Sequence, residues 1–104
     1  METGPEPQES AELQQESAQI VALQVLAWLA SDDELLPAFL NATGAGLGDL
    51  RARAGDVDFQ GAILDFLMMD DQWVVAFCDQ HGLPYTAPQA ARAALPGGEP
   101  VHWT

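Results

Sequence analysis

Residues 20–30 are apolar almost without interruption, with Gln24 as the only polar position, and the segment leading into them, AELQQESAQIVALQVLAWLA, contains neither glycine nor proline. Glutamates in its first turns suit the positive end of a helix dipole, and Ser10 is the expected N-cap. A helix that is apolar nearly all round is buried on most sides, so residues 20–30 are predicted to form a central helix.

The next segment, SDDELLPAFLNATG, opens with Ser31 and Glu34 at capping-box spacing and closes at Gly44, a residue that accepts the positive φ of a helix end. Pro37 lacks a backbone N–H, so either this helix starts near Pro37 or it kinks there. LGDLRARA, residues 47–54, predicts a short helix capped by Gly48 or Asp49 and ended by Gly55. Asp56 or Asp58 then caps FQGAILDFLMM, again apolar on most faces. Asp70 or Asp71 caps DQWVVAFCDQH, which Gly82 ends, and Thr86 caps a last helix running to about Leu95 with Pro88 in its first turn. No segment alternates with period two between hairpin turns, so no sheet is expected.

Sliding the chain against itself by about 38 residues sets ALQVLAWLASDDELLPAFLNATG over QGAILDFLMMDDQWVVAFCDQHG. Identities fall at Leu26/Leu64, Leu29/Leu67, Asp32/Asp70, Asp33/Asp71, Ala38/Ala76, Phe39/Phe77 and Gly44/Gly82. Each copy consists of an apolar helix, an Asp-Asp cap, a second helix carrying Ala-Phe on its inner face, a helix-ending glycine and a shorter helix with arginine. The expected fold is all-α, a compact bundle of five to six helices built from two pseudo-repeated units at about residues 20–55 and 59–95. Residues 1–9, rich in Glu and Pro, are read as a disordered acidic arm, 10–96 as one helical domain, and 97–104 as a C-terminal tail.

Charge narrows the functional classes. Sixteen carboxylates face three arginines with no lysine, a formal net charge of -13. Direct binding of nucleic acid or of an anionic membrane requires clustered cations, so neither is expected, whereas a basic protein partner is compatible with this charge. Excess charge also serves solubility alone, and an alanine-rich, lysine-free composition reflects a GC-rich genome. No segment reaches the roughly 20 apolar residues of a membrane span, and the N-terminus has neither the basic residues nor the apolar run of a secretory signal. Cys78 is the only cysteine, which excludes an intramolecular disulfide, and a cytoplasmic location follows by elimination.

The candidate chemistry is sparse. Asp32, Asp33, Asp70 and Asp71 are of the type that holds hard cations, but each pair stands where a helix needs a cap, without the spacing of a calcium loop. His81 and His102 have no Cys or second His at zinc-ligand spacing, and His81 sits where a helix dipole favours an imidazole. Cys78, among Val74, Val75 and Phe77, is expected to be a buried inert thiol. No nucleophile triad or phosphate-binding glycine loop is present, so no enzyme activity and no cofactor or metal is expected. Met68, Met69 and Trp73, with Asp70 and Asp71, are the candidate partner-binding residues, as a groove for a partner helix; at helical spacing such Met and Trp residues are more often core.

The segments ALQVLAWLASD, FLNATG followed by LR at Leu50 and Arg51, AILDFLMMDD, AFC, and GLP at Gly82–Pro84 resemble an uncharacterised family of short alphaproteobacterial helical proteins, domain of unknown function 3572. GAG before Leu47 lengthens the first turn relative to the TGL of that family. The resemblance implies a helical fold over about residues 18–96 and carries over no functional residue. The leading expectation is a noncatalytic interaction or regulatory module with an acidic surface and an unidentified protein partner, and a homodimer is compatible with it. Alternatives are a mimic of nucleic-acid charge that binds a basic protein groove, and a small metal- or ligand-binding protein.

Overall fold

Glycine and aspartate punctuate the chain. A computed structural model describes the backbone of residues 7–95 and the side chains of residues 14–95; the expected C-terminal tail and the first six residues of the expected acidic arm lie outside the described residues. Six helices are described: α1 Pro7–Ala30, α2 Leu35–Thr43, α3 Leu47–Ala52, α4 Val57–Leu67, α5 Asp71–His81 and α6 Ala87–Ala94. No strand occurs among the described residues, and the fold is all-α as expected. α1 is described from Pro7 onward, so residues 7–9 of the expected arm are helical, and Ser10 lies inside the helix and is not its N-cap.

The caps are local and follow from side-chain chemistry. Asp32 Oδ1 accepts the N–H groups of Glu34 and Leu35 at 2.8 and 3.0 Å, Asp56 that of Asp58 at 2.9 Å, and Asp70 that of Gln72 at 2.8 Å. Ser31 does not form the expected capping box with Glu34; its hydroxyl donates to the Trp28 carbonyl at 2.8 Å and closes the end of α1 instead. Pro37 is the third residue of α2, within the first turn, so the helix starts near it and no backbone hydrogen bond is lost. α3 is capped by neither Gly48 nor Asp49: it runs from Leu47 to Ala52 with Gly46 as its N-cap, and the Asp49 carboxylate accepts the Gly46 N–H at 2.9 Å. Gly44 and Gly82 end α2 and α5 with φ of 74° and 66°, the left-handed conformation that costs glycine least.

One buried cluster joins α1, α2, α4, α5 and α6. α6 packs most extensively on α1, α1 also packs on α4, and α4 on α6. The central helix is therefore α4, where Phe59, Gln60, Gly61, Ile63, Leu64, Phe66 and Leu67 are all buried. α1 differs from its expected place: it buries a single stripe, Ala18, Ala22, Val25 and Leu29, while Ile20, Leu23, Ala27 and Ala30 are exposed. An apolar helix is covered only where a partner helix lies against it, and among the described residues the other helices meet α1 on one side.

Phe39 from α2 fits between α4 rings, edge-on to Phe59 at 5.7 Å and to Phe66 at 5.4 Å. Phe77 from α5 meets the edge of Trp28 at 5.9 Å. Burying a phenylalanine contributes about 1.5–3 kcal/mol, so these two residues fasten α2 and α5 to the core. The alanines paired with them by the internal alignment, Ala38 and Ala76, are exposed rather than inner. Other aligned positions do equal local work: Thr43 Oγ1 donates to the Phe39 carbonyl at 2.8 Å, and His81 Nδ1 lies 3.0 Å from that of Phe77. The correspondence stops at the third helix, since α6 packs on both α1 and α4 and α3 has no comparable pairing.

Candidate functional site

The segment joining α4 to α5 carries the candidates Met68, Met69, Asp70, Asp71 and Trp73, and it does not present them as one surface. Met68 and Trp73 are half-buried and packed against the core, with Trp73 stacked on Phe66 at 5.1 Å. The Asp70 carboxylate is occupied as the α5 cap. Met69, 72% exposed, and Asp71 are left facing solvent, and the adjoining outer face of α5 is a shallow depression lined by Asp71, Gln72, Val75 and Ala76.

The remaining chemistry is quiet. No three His, Cys, Asp or Glu side chains converge in a metal-binding group among the described residues. Cys78 is fully buried, and burial, with a smaller contribution from the Asp79 charge, pushes its thiol up. Such a thiol is a poor nucleophile because little of it is thiolate. His102 lies outside the described residues. Tyr85 donates its phenol to Asp79 Oδ1 at 2.7 Å, and that hydrogen bond, with the repulsion of phenolate by the carboxylate, raises its ionisation above the ordinary value.

Two apolar features lie on α1. A groove between α1 and α6 is lined by small side chains, among them Ser17, Ala18, Ala87, Ala90 and Ala94. On the side of α1 away from the buried stripe, Ile20 is 58% and Leu23 40% exposed, and Ala27 and Ala30 continue the line. Their spacing of three, four and three residues keeps all four on one face, roughly opposite Ala18, Ala22, Val25 and Leu29. Exposed carboxylates stand at both ends: Glu16, one turn before Ile20, and Asp33 and Glu34 just after Ala30. Sequence reasoning passed over this face because a run apolar on every side carries no mark of which side a partner covers.

Positive charge is largely engaged. Arg92 Nε bonds Asp65 Oδ1 at 2.8 Å, and Arg53 lies over the Phe59 ring, 4.7 Å from its centroid, and 4.0 Å from Asp56. Arg51 is exposed. No helix among the described residues is long and apolar enough to cross a membrane. Comparison with curated proteins and with solved structures returns no match. Residues 15–98 match the family described as protein of unknown function (DUF3572), and the chain belongs to that family.

Proposed function

We propose that this member of the DUF3572 family is a noncatalytic interaction or regulatory module of the cytoplasm that binds a protein partner through the outer face of α1. The observation that supports the reading is the line Ile20, Leu23, Ala27 and Ala30, exposed at helical spacing on a helix whose opposite stripe already fills the core. Scattered apolar residues are ordinary on protein surfaces, but a contiguous line on one helix is the geometry by which a helix face docks into a partner. The acidic surroundings add long-range attraction for a basic partner, which speeds association and makes it sensitive to salt.

The test is affinity capture from the native lysate by the wild-type chain and by the Ile20→Gln/Leu23→Gln double variant, each at low and high salt. The exposed positions and the helix propensity of glutamine leave the fold intact. A protein held by the wild type at low salt, and lost both with the variant and at high salt, supports the reading. Equal recovery by both chains would remove α1 from it, and no specific recovery would overturn it.

A further inference from the structure

We infer that the occupant of the α1 outer face is a cationic amphipathic helix of another protein, with an apolar stripe about three turns long and Lys or Arg at both ends. This inference rests on the docking role proposed for α1 and adds the chemistry of the partner. From Ile20 to Ala30 the face runs about 15 Å along the helix axis, the length of three turns. It is closed at one end by Glu16 and at the other by Asp33 and Glu34, all exposed. Those carboxylates leave the apolar centre free and place negative charge where the ends of a partner helix would lie.

The face is also graded in size. Ile20 and Leu23 project large side chains at the N-terminal end, and Ala27 and Ala30 leave a shallow floor at the other. A complementary helix sets its bulky residues over the two alanines and small ones over Ile20 and Leu23, since close packing needs large side chains to face small ones. A second copy of the chain fits poorly. In parallel register Glu16 would meet Glu16, in antiparallel register it would approach Asp33 and Glu34, and each copy carries a formal charge of -13. Like charges so placed oppose association, whereas a cationic helix gains at both ends.

The experiment titrates the full chain, isotopically labelled, with three synthetic helical peptides. One has alanines at i and i+3 and leucines at i+7 and i+10 flanked by lysines, the second has glutamates in place of the lysines, and the third keeps the lysines but replaces the leucines by glutamine. The lysine-flanked leucine peptide is expected to shift the amides of residues 16–34 and to bind at least roughly tenfold more tightly than either of the others. Ile20→Gln/Leu23→Gln should weaken it roughly tenfold or more, and Glu16→Gln with Asp33→Asn and Glu34→Gln should remove most of its salt dependence. If the glutamate-flanked peptide binds α1 equally well, the cationic partner is wrong while the docking face stands. Tight binding that shifts the amides around Met69 and Val75 instead would move docking to α5 and overturn the inference. Sedimentation showing a dimer that Ile20→Gln/Leu23→Gln dissociates would replace the partner by a second copy. Failure of all three peptides to shift α1 would overturn the inference, and the capture experiment then decides separately whether α1 docks any protein.

Discussion

Arg92 of α6 occupies the space that a side chain on Gly61 of α4 would need: an ideal Cβ there would stand 2.7 Å from Nη1 and 3.0 Å from Cζ. Gly61 is therefore the residue over which Arg92 crosses to reach Asp65. Glycine inside a helix costs about 1 kcal/mol relative to alanine, so its presence there needs a packing reason, and the guanidinium supplies one.

Gly61→Ala should consequently be close to neutral in the wild type. The gain of about 1 kcal/mol in helix propensity is offset by displacement of a half-exposed ion pair worth about 0.5–1 kcal/mol. In an Arg92→Ala background the same change should stabilise by about 1 kcal/mol, because nothing then fills the space. Urea unfolding of the four proteins gives the coupling between the two sites. Simple additivity would show that Arg92 does not rest on Gly61 in solution.

Gln60 is buried beside Gly61; its Nε2 donates to the Ala54 carbonyl at 2.8 Å, while Oε1 has no hydrogen-bond partner. Gln60→Leu gives up one hydrogen bond and removes one unpaired buried acceptor, so its cost should stay within about 1 kcal/mol. Gln60→Glu should cost several kcal/mol at neutral pH, on the order expected for an uncompensated buried carboxylate. Burial would raise the folded-state pKa of that carboxyl. The penalty is then absent below the unfolded value of about 4.3 and grows as pH rises to the folded-state value. Urea midpoints of the two variants compared across pH 3–8 check this, and a difference that stays flat with pH would contradict it.

Cys78, as the only cysteine, reports on opening of the core. Its burial and upward-shifted thiol predict that a disulfide reagent at pH 8 labels the native chain roughly 100-fold or more slowly than the urea-unfolded chain, since only opened molecules react. Labelling of the native protein at the unfolded rate would show that α5 does not stay docked.

Tyr85 is likewise the only tyrosine, so alkaline absorbance titration follows one group. Its midpoint should lie above the ordinary value of about 10, because Asp79 accepts the phenol proton and repels the phenolate. Asp79→Asn should bring it down toward that value. With the folded-state pKa raised, the stabilising effect is complete below the unfolded value and is lost as pH rises through the folded one. An Asp79→Asn titration identical to the wild type would remove the contact.

What could be seen in the sequence was whatever is decided within a few residues. Asp56 and Asp70 cap because a carboxylate two residues before an orphan N–H reaches it, and Gly82 ends α5 because the next residue must turn left-handed. Pairings between distant segments were not visible in this way. Gly61 looked like part of an apolar helix until Arg92 from another helix lay across it. Trp73 and Met68 could not be divided between core and surface without knowing that Phe66 offers a ring to stack on. The burial expected for Ile20 failed for the same reason, since hydropathy describes a side chain and coverage depends on the neighbour.

The small side chains between α1 and α6, with Ala18 and Ala91 buried at the seam, alter how the composition of this chain is to be understood. An abundance of alanine invites an explanation at the level of the genome, in codon usage. At this seam alanine acts as a spacer, setting how near two helix axes come, and a methyl group more would push them apart. Architecture alone asks for alanine here, so a substitution that would be silent in a loop becomes visible as a change in the width of the molecule.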